Sequence, residues 1–389
     1  MTMNEKYLVM VTENNNNKFY HMFAPKGNTF KVEYGRVGCK VSTCEYWVSD
    51  WDKKYYEKIK KGYTDCTELL KQPTDNKNYK SIQDAGVADL IKRLREFAQH
   101  VIDNNYTIAV GTVTEKMITE AVEQLNKVAN TSDVDRFNAE LIRLFKIIPR
   151  KMSKVQDFLA VTKRDFEAIV QREQDLLDIM KGQIKTNAGA NDKLTVLEAN
   201  GLELQDVTAD EIKNIKNHLG DVAPKFKRAW KVKNTKTQEQ FDKFVADNNI
   251  TDCKFLWHGS RNENWWSILN SGLLLNPNAV ITGKMFGNGI YFANKARKSF
   301  GYTSARGSYW VGGNSDTAFM AVYKVAYGKP YDVYTHNSSY YDINENKLHK
   351  LDKNANCLHA HAGRDLKNDE IIVYNEAQTT IKYIVEFAA

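Results

Sequence analysis

Apolar positions in the first 70 residues fall in runs of strand length. KYLVMV, KFYHMFA, TFKVEYGRVG and CEYWVS alternate or run apolar, and Asn and Gly clusters separate them, with residues 14–17 the clearest turn. SDWDKKYYEKIKKG then turns helical, with Ser49 the expected N-cap and Gly62 the expected end. From residue 81 the apolar period becomes that of a helix. Val87, Leu90, Ile91, Leu94, Phe97, Ala98, Val101 and Ile102 form one stripe, and Ile118, Ala121, Val122, Leu125 and Val128 a second. A third uses Val134, Phe137, Leu141, Leu144, Phe145 and Ile148 and stops at Pro149, while a fourth uses Phe166, Ile169, Val170, Leu177 and Met180 ahead of Gly182. Four such helices predict a bundle whose stripes are core, since none has catalytic spacing.

KTNAGANDK, residues 185–193, reads as a polar linker. After it, LTVLEAN looks strand-like, and Thr208 with Glu211 makes a capping box for a helix ended by Gly220. Short β segments then dominate: KFKRAWKVKN, CKFLWHG, GIYFAN, TAFMAVYKVAYG, PYDVYTH, EIIVYNE and TIKYIVEFA. Few long helices among so many strands predict two packed sheets around a cleft. The fold class is therefore α+β multidomain, with a small β-rich domain at 1–75, an all-α bundle at 81–185 and a β-rich domain at 192–389.

Composition narrows the setting more than the function. A length of 389 residues suits two or three domains. The sequence has no run of about 18 apolar residues, so no membrane partner is expected. MTMNEKYLVMV lacks a secretory pattern and predicts an intracellular protein, in the nucleus of a eukaryote or the cytoplasm or nucleoid otherwise. The five cysteines contain no Cys-x-x-Cys pair, which argues against zinc fingers and thioredoxin-type chemistry. The net charge of +7 is mild; residues 1–80 hold 14 Lys and Arg against 10 Asp and Glu, enough to permit a phosphate-contacting surface without requiring one.

The chemistry concentrates in three separated pieces. FLWHGSRNENW places His258 and Gly259 after an apolar run, TGKMFGNGIYF places Tyr291 after Gly287 and Gly289, and NDEIIVY places Glu370 ahead of another strand. Gly287-Asn288-Gly289 lacks the third glycine and the following helix of a dinucleotide fold, and Walker A, zincin and kinase signatures are absent. The His258, Tyr291 and Glu370 set in these contexts closely resembles the NAD-consuming site of poly(ADP-ribose) polymerases. NAD would then be the substrate, with no metal required.

That resemblance implies roles residue by residue. Glu370 would bond the nicotinamide-ribose 2′-hydroxyl, stabilise the cationic transition state and orient the acceptor hydroxyl. Gly259 main-chain groups and the Ser299 hydroxyl would hold the carboxamide, with Tyr302 stacked on one face of the nicotinamide and Tyr291 on the other. His258 would donate to the adenine-ribose 2′-hydroxyl, and Ser260 and Asn264 would help hold the adenosine half. Leu274, Lys284 and Asn288 depart from the family's usual residues, which puts NAD affinity and acceptor geometry in question. His359 and His361 could bind metal, but the sequence offers them no third nearby ligand, so no metal is expected.

The N-terminal segments resemble the same family's DNA-dependent members. VEYGRVG is similar to the signature of the WGR domain, with tyrosine in place of the usual tryptophan, and implies that Tyr34 and Arg36 face a DNA end. Residues 81–185 resemble the helical regulatory domain and imply a brake on the NAD cleft that DNA binding releases. The expected activity is transfer of ADP-ribose from NAD to protein acceptors, the chain itself included, with polymer extension stimulated by DNA strand breaks. A mono-ADP-ribosyltransferase of the same fold and a catalytically weak DNA-end-binding scaffold are the alternatives.

Overall fold

A computed structural model describes residues 4–70, 78–106, 113–188, 192–275 and 285–388. Two compact units emerge, one of residues 1–76 with 100–187 and one of 77–99 with 188–389. The first contains β1 (Lys6–Thr12), β2 (Asn16–Met22), β3 (Thr29–Arg36), β4 (Ser42–Trp47), α1 (Trp51–Lys60) and β5 (Thr64–Asp65). These strands form an antiparallel sheet in the order β4-β3-β2-β1-β5. Asn15 makes the β1–β2 turn at φ 62°, a left-handed conformation that asparagine tolerates better than most side chains. Leu8, Tyr20, Met22, Phe30 and Val32 bury their alternating face against Trp51 of α1. Ser49 does not cap α1. It lies inside a 3-10 turn, Val48–Asp50, that feeds the helix directly, and no side chain caps the entry. Gly62 does follow the helix end, at φ +90°.

Helices complete this unit: the end of α2 (Ala85–Asn105), then α3 (Glu115–Ala129), α4 (Val134–Ile147) and α5 (Phe166–Ala188). Thr114 and Asp133 cap α3 and α4 through their side chains. Phe137 and Phe166 stack at 3.9 Å between α4 and α5. Gly182 is buried inside α5 and does not stop it; the Thr186 hydroxyl even donates to its carbonyl, 2.8 Å. The sheet and these helices, expected as separate domains, thus share one unit: Asn17 donates to the Arg150 carbonyl at 2.9 Å and Cys66 to that of Lys146 at 3.4 Å.

Arg150 is the buried centre of this unit. It pairs with Glu173, donates to Asn105 Oδ1 at 2.5 Å, and lies over the rings of Tyr106, Phe145 and Phe158. Both charged side chains are 2% exposed, so each is stable there only because the other is present.

The second unit begins with the first part of α2. Val87, Leu90, Ile91 and Leu94 join a core containing Trp230, Trp265, Trp266 and Phe319, and Arg93 makes a bidentate pair with Glu386 at 2.9 and 3.0 Å. Burial opposes the Glu386 charge, yet Arg93 and Lys227 together hold its carboxyl below the usual range. LTVLEAN is not a strand. Thr195 and Glu198 cap each other's backbone and start a helical turn, α6 (Val196–Ala199), a signal the apolar run concealed.

Next come β6 (Leu202–Asp206), α7 (Ala209–Leu219), β7 (Phe226–Asn234), α8 (Thr235–Asp247), β8 (Cys253–Gly259), α9 (Trp265–Ser271), β9 (Ile290–Phe292) and α10 (Ala296–Phe300). The remainder is β10 (Thr317–Ala326), β11 (Pro330–Val333), α11 (Glu345–Leu351), β12 (Cys357–Ala360), β13 (Glu370–Val373) and β14 (Thr379–Ala388). Thr208 and Glu211 form the expected capping box of α7, and Gly220 is its C-cap at φ 54°. β6-β7-β14-β10-β8 make one antiparallel sheet and β11-β12-β13-β9 another, with only β11 and β12 parallel. Along β10, Phe319, Ala321, Tyr323 and Val325 face one core, while Met320 and Val322 face a second with Trp257, Val385 and Phe387. Among the described residues no helix is long and apolar enough to cross a membrane.

Replacing Glu173 by leucine strands the Arg150 charge and should destabilise the first unit by about 3–5 kcal/mol. Hydrogen exchange across Val134–Ile147 reads this directly, and unchanged protection would contradict the assignment.

Candidate active site

The site forms where the two sheets part. Trp257 and Ala293 exchange both backbone hydrogen bonds, at 2.9 and 3.0 Å, and so join edge strand β8 to the end of β9. Because the polar groups of alternate residues in a strand point the same way, the Gly259 N–H and C=O face the same side as those of Trp257. Beyond that point β9 no longer runs alongside. This is the backbone to which the resemblance assigns the nicotinamide carboxamide.

Packing alone requires a glycine at 259. A Cβ there would lie 1.9 Å from the Ser299 carbonyl oxygen, so it is α10, before any ligand, that needs the bare backbone. Gly287 and Gly289 are likewise hemmed in by chain, by Ile343 O at 2.1 Å and Ile372 Cγ2 at 2.2 Å from their hypothetical Cβ atoms. Ser299 is buried and its hydroxyl donates to Trp257 O at 3.0 Å, leaving oxygen lone pairs that can accept.

His258, next to Gly259, sits among the edges of Trp265, Phe292 and Tyr323. Its Nδ1 lies 3.0 Å from the Tyr291 carbonyl, so Nδ1 carries the proton. In the neutral ring this leaves Nε2 as the acceptor nitrogen. The Tyr291 hydroxyl donates to Gly287 O at 2.9 Å and accepts from Phe286 N at 3.2 Å, which fixes the ring. Burial pushes that phenol well above its ordinary range, with the Glu370 charge adding to the effect.

Glu370 begins β13, two strand pairs from Tyr291 in the register Ile372↔Tyr291. Its carboxylate pairs with Lys298, both side chains largely shielded at 12% and 13% exposure. Burial lowers the Lys298 pKa, and the Glu370 charge opposes that change. Tyr302 is pushed up to about 12, first by burial and then by the same carboxylate. Lys298, Tyr291 and Tyr302 therefore all sense one anion. Sequence reasoning passed over Lys298 although it directly precedes Ser299 in NKARKSFGY, because a lysine in a basic run reads as solvated. Trp310 was also missed; it stacks on Tyr302 at 5.8 Å and 17° between planes.

Ser260 and Asn264 lie beside this site and bond each other at 3.1 Å. Leu274 is exposed, and Asn288 donates its backbone N–H to Ile343 O at 3.0 Å. Lys284 and residues 189–191 lie outside the described residues, and the expected linker begins later than 185, because α5 runs on to Ala188. In the first unit, Tyr34 is 41% exposed on β3, whereas Arg36 spends its guanidinium on the chain: Nε donates to Met152 O at 3.0 Å and the terminal nitrogens to Asn15 O and Oδ1 at 2.9 and 2.8 Å. A bidentate phosphate contact by Arg36 would have to displace these bonds.

Comparison with known proteins agrees with the geometry. Residues 209–389 match the family described as poly(ADP-ribose) polymerase catalytic domain. A putative poly [ADP-ribose] polymerase-like protein of Invertebrate iridescent virus 6 is 31% identical over 186 residues, 47% of this chain and 96% of the viral one. Poly [ADP-ribose] polymerase 2-B of Oryza sativa subsp. japonica is 26% identical over 329 residues, 75% of this chain, which spans only 54% of the rice protein. Poly [ADP-ribose] polymerase 1 of Gallus gallus is 24% identical over 276 residues, covering 65% of this chain and 27% of its own length. The protein thus belongs to the poly(ADP-ribose) polymerase family, and its second unit carries that family's catalytic domain, an ADP-ribosyltransferase that uses NAD as substrate.

Proposed function

We propose that this protein transfers ADP-ribose to protein acceptors and extends the product into polymer, releasing nicotinamide, and that DNA ends stimulate it. The observation that carries the reading is the Glu370 carboxylate, held by Lys298 beside the rings of Tyr291 and Tyr302, with His258 one hydrogen bond away from the Tyr291 backbone. In this arrangement Gly259 and Ser299 grip the carboxamide while Tyr302 covers the nicotinamide face. Loss of nicotinamide leaves positive charge on the ribose, and a fixed anion at Glu370 stabilises that charge more in the transition state than in the ground state. The same carboxylate accepts a hydrogen bond from the attacking hydroxyl of the acceptor, the ribose of a growing chain included. Lys298 orients Glu370 until substrate arrives.

The exposed Tyr34 ring and the modest basic excess of residues 1–80 support DNA contact by the first unit. Labelled NAD, added with and without nicked DNA, tests both halves of the reading. A lengthening ladder that intensifies with DNA is expected; a single adduct would point to mono-transfer, and no label with tight DNA binding to a scaffold. Tyr34→Ala should lower the ratio of DNA-stimulated to basal labelling, and an equal ratio would remove Tyr34 from the sensor.

Glu370→Gln should retain NAD binding in a direct binding assay but abolish ladder growth, a loss of at least about a hundredfold in rate. Ladders of undiminished length would exclude the role. Because the Lys298 pKa is lowered, the ammonium loses its proton at a pH below the ordinary lysine range, and the ion pair disappears as pH rises through that point. Arginine stays charged there. Lys298→Arg should therefore move the alkaline limb of the kcat/KM profile to higher pH; an unmoved limb means the limb belongs to another group.

A further inference from the structure

The four-stranded sheet carries a second cluster of chemistry that the transfer reaction does not use. β11 and β12 run parallel with Asp332 opposite His359, so these two side chains leave the same face at the same level. His361 lies two residues beyond His359 and returns to that face. Folding thus supplies the third ligand type that the His-x-His pair lacks in the sequence. One ligand atom from each of Asp332, His359 and His361 lies within 4.8 Å of the other two.

We propose that Asp332, His359 and His361 form a binding site for a divalent cation of the zinc class. Two imidazoles and one carboxylate are a common donor set for Zn2+, with bonds of about 2.0–2.2 Å that place neighbouring ligands about 3.4 Å apart on a tetrahedron. Here the His361 Nε2 to Asp332 Oδ1 distance is 2.7 Å and the two rings stack at 4.0 Å, so side-chain rotations of modest size reach that spacing. Water would complete the shell.

The surroundings of His359 point to a ligand independently of the cluster. Tyr327 Oη lies 2.7 Å from its Nδ1, an outer partner of the kind that fixes a ligating ring, and it leaves Nε2 for the cation. That Nε2 is shielded from water and has no hydrogen bond. Asp369 Oδ2 lies 3.4 Å away, close enough for charge attraction but not aligned for a hydrogen bond. The Asp369 carboxylate is itself held in place by Ala362 N at 2.8 Å and Asn294 Nδ2 at 3.0 Å. Two neutral imidazoles and one aspartate leave a bound dication with one excess charge, and Asp369 stands ready to balance it. A cation here would tie β11 to β12 and, through Asp369, steady the residue immediately before Glu370.

The test uses the full chain, stripped with chelator and titrated with Zn2+ by calorimetry and with Co2+ by visible absorption. One equivalent of each should bind, with Co2+ giving the d–d bands of a tetrahedral nitrogen and oxygen site and no thiolate charge-transfer band. Asp332→Asn and His361→Ala, on separate elements and at accessible positions, should each weaken Zn2+ binding at least about tenfold while leaving the metal-free thermal transition in place. Binding of equal affinity in both variants, a thiolate band, or no stoichiometric uptake by the unaltered protein would overturn the proposal.

Discussion

The pair of backbone hydrogen bonds between Trp257 and Ala293 is the constraint on which the catalytic geometry turns. It makes two sheets meet at one residue and then separate. Several residues that the resemblance assigns to the NAD site lie near that joint: His258 and Gly259 just past it on β8, Tyr291 just before it on β9, and Ser299 on the helix that follows. β13 pairs with β9 and so delivers Glu370 to the same place. A longer β8–β9 pairing would close the opening, and none at all would leave the histidine and the glutamate on unrelated sheets.

Close packing then makes the opening specific. α10 approaches β8 so tightly that residue 259 can carry no side chain, and this contact seats Ser299 and Lys298 beside the strand. The Glu370 carboxylate is paired in a shielded place with one lysine from that helix. Such a pair is costly to bury and costly to break, so it favours a single orientation of both groups. The Arg150–Glu173 pair obeys the same rule in the first unit, where it joins α5 to the segment after α4 and serves structure instead of chemistry.

The start of α2 shows how a repeating pattern can mislead about membership while being right about form. Its stripe of Val87, Leu90, Ile91 and Leu94 is helical as expected, but it is buried with the tryptophans of the catalytic unit, with Arg93 locked to Glu386. Periodicity specifies that a face will be covered and is silent on what covers it. The strand reading of LTVLEAN failed for a related reason: a short apolar run fits either state, and the reciprocal Thr195–Glu198 cap decided it.

Local signals in the sequence were enough for the α7 cap, the Asn15 turn, the long strands β7, β8, β10 and β14, and the candidacy of His258, Tyr291 and Glu370, because each depends on neighbouring residues or on a motif read along the chain. The short strands β6 and β12 escaped notice, since a few residues with weak alternation carry little signal. Only tertiary structure could show that Lys298 meets Glu370, that Arg36 is occupied by Asn15 and Met152, and that Asp332 stands opposite His359. Those facts are contacts between residues 21 to 116 positions apart, set by strand register and helix packing. Pairings at such separations leave no mark on the spacing of either partner.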